Sequence, residues 1–119
     1  MDEFKLIVAG GRDFNDAELL SRTLYAMADV ELADKSVSLV SGMAKGADAL
    51  GYRFAKSLGI KCYEFPADWS LGRKAGFMRN TQMGKFADGL LVFYSGSPGT
   101  AHMIKYMQSL NKPVTIIPY

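Results

Sequence analysis

Gly89-Leu-Leu-Val-Phe-Tyr-Ser-Gly-Ser-Pro-Gly-Thr100 is the stretch that decides the fold. Its first half, Gly89 to Tyr94, is a continuous apolar run, the pattern of a strand covered on both faces. Its second half, Ser95 to Thr100, is a Gly/Ser turn, and a helix-like run from Ala101 to Leu110 follows. A buried strand that breaks into such a turn and then a helix presents backbone N–H groups that no helix carbonyl can satisfy. With the positive end of the helix dipole, those donors make a seat for phosphate. Glycine suits the turn because a Cβ would block close approach and positive φ angles.

The same order recurs on either side of this stretch. Phe4 to Ala9 reads as a buried strand ended by Gly10-Gly11. Asn15 and Glu18 have capping-box spacing, and Ala17, Leu20, Leu24 and Met27 predict a helix over about Asp16 to Asp29. Ser36 to Val40 is a second strand, closed by Ser41-Gly42. Ala47, Leu50, Phe54 and Leu58 mark a helix that Gly59 stops. Lys61 to Phe65 is a third strand, Ala67 to Gly76 a polar connection holding Trp69, and Phe77 to Phe86 a helix. Pro113 to Ile117 closes the chain as a fifth strand. This alternation predicts an α/β fold: a Rossmann-like three-layer α/β/α arrangement around a mainly parallel five-stranded sheet. In such sheets ligands bind beyond the carboxyl ends of the strands, where strand order reverses. Every Gly-rich turn just named falls at such an end.

The chain of 119 residues is read as one domain over 1–119, long enough to bury a core without staples. Hydrophobic residues make up 49% and charged residues 22%, the balance of an ordinary globular protein. A net charge of +2 is too small to argue for nucleic acid by itself. The single cysteine, Cys62, excludes an internal disulfide and a cysteine-rich zinc site, and its place in a strand predicts a buried, inert thiol. No run reaches the ~18 apolar residues of a membrane span. The start, Met1-Asp-Glu-Phe4, is acidic and enters a strand directly, unlike a signal peptide, so the cytoplasm is the expected location. No set of His, Asp or Glu has metal-ligand spacing, and no cofactor is implied.

Four segments carry the candidate site. Gly96, Ser97, Gly99 and Thr100 read as a phosphate cradle, or as an ordinary βα loop with Thr100 as a helix cap. Gly10 and Gly11 would let a ligand lie against the backbone, with Arg12 as a two-pronged clamp on phosphate or carboxylate. The alternative is a tight turn with Arg12 in solvent. In Ser41-Gly-Met-Ala-Lys-Gly-Ala-Asp48, the flexible turn at Ser41 and Gly42 precedes Lys45, a candidate anion ligand. Asp48 either accepts from a ribose hydroxyl or favours the helix start. The spacing is not that of a Walker A loop. Arg73, Lys74, Arg79 and Asn80 form an electropositive rim or a solvated basic face. Asn80 is poorly suited to a helix interior, which points to a hydrogen-bonding task. Trp69 either stacks on a base or covers core. His102 has no partner set for a catalytic triad, and no catalytic residue is assigned.

Taken together, Val8-Ala-Gly-Gly-Arg-Asp-Phe14, Ser41 to Asp48, Ala67-Asp-Trp69, Gly72-Arg-Lys-Ala-Gly-Phe-Met-Arg-Asn80 and Gly96 to Thr100 are more specific than any one alone. In this order they resemble the small YspA-like branch of the SLOG superfamily, roughly over residues 5 to 117. That superfamily includes the Lonely Guy phosphoribohydrolases and the DNA-processing protein DprA. The resemblance implies a Rossmann-like sheet whose carboxyl edge takes nucleotides or nucleotide-derived ligands, such as ADP-ribose relatives. The phosphoribohydrolases carry Arg-Lys-x-x-Met before Pro-Gly-Gly-x-Gly-Thr-x-x-Glu. Arg73 to Met78 resembles the first part with altered spacing, and Gly96-Ser-Pro-Gly-Thr100 the second, with Ser97 where glycine is usual. Met103 stands at the place of the final glutamate and cannot support charge on a ribose. The expected function is therefore binding of a phosphorylated nucleoside or NAD-derived small molecule, as sensor or sequestering module. The alternatives are a nucleotide N-glycosidase using Asp13, Asp48 or Asp88, and, less favoured, single-stranded nucleic-acid binding. Met78, Met83, Met103 and Met107 are either core filling or the face of a helix–helix homo-oligomer.

Overall fold

The computed structural model describes residues 1–119. Five strands, β1 (Asp2–Gly10), β2 (Lys35–Ser41), β3 (Cys62–Glu64), β4 (Gly89–Tyr94) and β5 (Val114–Pro118), form one sheet. Its order is β3-β2-β1-β4-β5, and every neighbouring pair is parallel. Four helices connect the strands: α1 (Ala17–Asp29), α2 (Ala47–Leu58), α3 (Ala75–Phe86) and α4 (Pro98–Ser109). This is the Rossmann-like three-layer architecture expected from the alternation.

Alternation along β1 sorts the core into two halves. Leu6 and Val8 pack with Leu20, Leu24 and Met27 of α1 and with Ala47 and Ala55 of α2. Ile7 and Ala9 face the other way, onto Met83 of α3 and Met103, Ile104 and Met107 of α4. Successive strand side chains point to opposite faces, so a sheet covered twice must be apolar throughout. Leu6, Ile7 and Val8 are accordingly all essentially inaccessible to solvent. Each such side chain contributes roughly 1.5–3 kcal/mol by leaving water. Met83, Met103 and Met107 are spent on this core, and only Met78 of the four methionines is exposed.

Strand order fixes where a ligand can sit. The chain runs from β1 outward to β2 and β3, then returns to place β4 on the other side of β1. The reversal leaves a crevice at the carboxyl ends of β1 and β4. There Gly10 pairs with Phe93, and the Gly11 amide donates to the Phe93 carbonyl at 3.1 Å.

Several boundaries differ from the sequence-based expectation. The cap of α1 is Asp16, whose side chain accepts from the Leu19 amide, and not Asn15. Helix α4 starts at Pro98 rather than Ala101, since proline at the first helical position has its φ preset and no N–H to lose. Helix α3 starts at Ala75 rather than Phe77. Its buried face carries Arg79, Asn80 and Gly84, so apolar periodicity under-reports it. The connection before it holds a short 3-10 turn, Trp69–Leu71, capped by the Asp68 side chain through the Ser70 amide.

Candidate functional site

The loops after β1, β2 and β4, together with α3 and the 3-10 turn, enclose a cleft of about 720 Å³ at the β1/β4 crevice. That volume is within the usual range for a small-molecule site. Of the expected site residues, Gly10, Gly11, Arg12, Asp48, Arg73, Arg79, Asn80, Gly96, Ser97, Gly99 and Thr100 line it. Ser41, Gly42 and Lys45 do not. Ser41 and Gly42 are buried beneath the cleft as its supports, and Lys45 points into solvent.

The β4 side is open. The first turn of α4 has no side-chain cap, and its first backbone bond runs from the Ala101 amide to the Ser97 carbonyl. The Gly99 and Thr100 amides therefore have no carbonyl to donate to. Ser97 Oγ donates to Thr100 Oγ1 at 2.6 Å, which leaves the Thr100 hydroxyl hydrogen available. A Cβ at Gly96 or Gly99 would meet nothing within 4 Å. Gly96 has φ +105°, a conformation that side-chain-bearing residues rarely adopt.

The β2 side is closed by packing. The Ala47 amide at the start of α2 donates to the Gly11 carbonyl at 3.3 Å. Gly46 (φ +80°) lies so close that a Cβ there would come within 2.2 Å of that same carbonyl. The Tyr119 hydroxyl, which donates to Asp13 at 2.6 Å, covers the Cβ position of Gly11. Ser41 Oγ donates to the Asp48 carbonyl at 3.0 Å and accepts from the Met43 amide at 3.1 Å, holding the turn in which Met43 takes φ 61°.

A buried polar chain joins the two sides. Arg79 donates through Nη1 to the Gly42 carbonyl and through Nε to Asn80 Oδ1 at 3.1 Å. Asn80 Nδ2 then donates to the Gly99 carbonyl at 3.1 Å and lies 3.3 Å from His102 Nδ1. An amide nitrogen can only donate, so this contact is a hydrogen bond in the neutral tautomer with its proton on Nε2, the form that burial of His102 favours by lowering its pKa. Asn80 thus has the hydrogen-bonding task that its low helix propensity suggested. Burial pushes the Asp48 carboxyl up to about 6, against the opposing pull of Arg79, the Ala44 amide and Arg12. Burial likewise draws the Arg79 guanidinium down, with Asp48 opposing.

The rim is aromatic and cationic. Arg12 lies 5.6 Å from the centre of the Trp69 ring, a cation–π distance, and Arg73 is exposed beside them. Trp69 is 54% exposed and Phe77 43%, and the Phe77 ring packs at 4.6 Å on His102. Phe77, Met83 and Met103 also line the cleft and were not among the expected site residues. Their apolar character reads as core in a sequence, and only the tertiary arrangement turns an edge of each toward the cavity. No group of three or more His, Cys, Asp or Glu side chains gathers anywhere in the structure.

No curated protein matches the chain significantly. One family does, over residues 4–72, which span β1 through the 3-10 turn and include the Gly10-Gly11-Arg12 and Ser41 to Asp48 segments. On that match, over more than half its length, the chain belongs to the YspA, cpYpsA-related SLOG family.

Proposed function

We propose that the cleft binds a phosphorylated nucleoside or an NAD- or ADP-ribose-derived small molecule, as a sensor or sequestering module. Family membership is consistent with a nucleotide-related ligand. The observation that carries the reading is the conjunction at one crevice of two unsatisfied donor sets. One is the uncapped first turn of α4; the other is Arg79, buried to 8% exposure, whose Nη2 makes no hydrogen bond. Helix N-terminal amides are complementary to phosphate oxygens, and the free guanidinium nitrogen can donate to another oxygen of the same ligand, a sugar hydroxyl included. Arg12 and Arg73 add positive charge at the mouth, and Trp69 and Phe77 offer faces for a base.

Thermal shift with AMP, ADP, NAD, ADP-ribose and cyclic nucleotides tests this directly. A rise in melting temperature with at least one is expected; no shift with any of them would count decisively against the proposal. A second reading, hydrolysis of an N-glycosidic bond, draws on one observation: Asp48 is a buried carboxylate on the cleft wall that ionises near pH 6. Release of free base from nucleoside monophosphates, lost in Asp48→Asn, would favour that reading over simple binding. Assembly as a homo-oligomer is proposed on the exposed apolar side chains of Trp69, Leu71, Phe77 and Met78. Light scattering that finds only monomer would remove it.

A further inference from the structure

The cleft floor holds two ionisable side chains that are each more than nine-tenths buried, Asp48 and Arg79. Neither is in an ion pair; the two salt bridges of the protein, Arg22–Glu18 and Lys35–Asp2, lie elsewhere. Both press on Gly42, where a Cβ would come within 2.7 Å of Arg79 Nη1 and of Asp48 Oδ2 alike. An acceptor-only group and a donor-only group therefore stand side by side without closing on each other. The Asp48 carboxylate accepts from the Ala44 amide at 3.4 Å and is also favoured by the Gly10 amide, and no side chain donates to it. Arg79 Nη2 is uncommitted, and no fully buried side-chain polar atom lacks a partner, so the unused atoms of both residues open to the cleft.

Such a pair selects its guest. A phosphate oxygen would satisfy Arg79 and be repelled by Asp48; an ammonium would do the reverse. A hydroxyl both accepts and donates, and so fits both. In a nucleotide the hydroxyls belong to the sugar. In dinucleotide-binding sheets an acidic side chain near the second strand hydrogen-bonds the ribose, and Asp48 stands in the first turn of α2, just beyond β2. Resting on the nucleotide reading above, we propose that Asp48 and Arg79 read a ribose hydroxyl, so that the site prefers ribonucleotides to their deoxy counterparts. Phosphate then belongs at the α4 end of the cleft and the sugar at the α2 end.

Calorimetric titration with ADP, 2′-deoxy-ADP and 2′,3′-dideoxy-ADP tests the assignment on the wild-type protein, with no variant needed. The dideoxy compound is expected to bind at least about tenfold more weakly than ADP, because its loss leaves buried polar groups unpaired. Asp48→Asn, which keeps the shape of the side chain, should bring the two ligands to within about threefold of each other by weakening ADP. Equal binding of all three by the wild type overturns the ribose assignment and leaves the phosphate reading standing. An unchanged ratio in Asp48→Asn overturns the role of Asp48. Binding of none of the three overturns this inference together with the nucleotide reading.

Discussion

The two sides of the carboxyl edge are built on opposite plans, although both are rich in glycine. On the β2 side, Gly46 is required by the protein itself, since a Cβ there would strike the Gly11 carbonyl, and a Cβ at Gly11 would have to displace the Tyr119 hydroxyl. On the β4 side, Gly96 and Gly99 face open space. A glycine in a turn thus marks either close packing within the chain or room left for something else. The sequence looks the same in both cases. What separates them is whether a neighbouring element has already filled the approach.

That contrast breaks most sharply at Gly46. Gly46→Ala combines a left-handed φ with a Cβ 2.2 Å from a backbone oxygen, and the loop has no flexible atom to move aside. A loss of more than about 3 kcal/mol in urea unfolding is expected. A near-neutral Gly46→Ala would mean that the β2 side is as loose as the β4 side.

Asp48 supplies the next test. Its folded pKa is raised to about 6 from 3.8, so between those pH values the native state holds more protons than the unfolded state. Stability contributed by the neutral carboxyl is present below about pH 4 and is lost as pH rises through 6. The loss is on the order of 3 kcal/mol at most. His102 acts in the opposite sense in part of that window, because a depressed imidazole pKa makes stability fall as pH drops. The difference between wild type and Asp48→Asn isolates the carboxylate: the variant should gain relative stability as pH rises from 4 to 7. A difference that is flat with pH would show that Asp48 is well solvated.

Asn80 connects the two sides, and its removal should cost less. Asn80→Ala leaves the Arg79 Nε and the Gly99 carbonyl without their partners. A loss of about 2 kcal/mol in chemical unfolding follows. The smallest effect is expected on the open side. Gly99→Ala adds a Cβ into empty space within a helix, so stability should change by less than about 1 kcal/mol, and upward if at all. A large loss there would erase the distinction between the two plans.

The fold was legible because both-face burial leaves a strong mark. Leu6-Ile-Val8 and Leu90-Leu-Val-Phe93 are apolar without interruption, and the Gly-rich turns locate their carboxyl ends. The start of α3 was not legible, because its inner face spends helical positions on Arg79 and Asn80 rather than on hydrocarbon. For the candidate site, the glycine and arginine positions pointed to the edge at which the structure places the cleft. The cleft-facing edges of Phe77, Met83 and Met103 depend on how α3 and α4 pack, which no local pattern encodes. Lys45 lies outside the cleft: in the loop where Met43 takes φ 61°, Ala44 lines the cleft and Lys45 is exposed.

The proposed function rests on an anion held by the peptide N–H groups at the start of α4. Isothermal titration of ADP into wild type and Gly99→Asp, with melting curves of both, measures it most directly. Aspartate near a helix N-terminus favours the fold, and a Cβ at Gly99 meets nothing within 4 Å. An unchanged or slightly higher melting temperature is expected for Gly99→Asp, with ADP affinity reduced at least about tenfold by the carboxylate in the anion seat. Equal ADP affinity in the two proteins would contradict it.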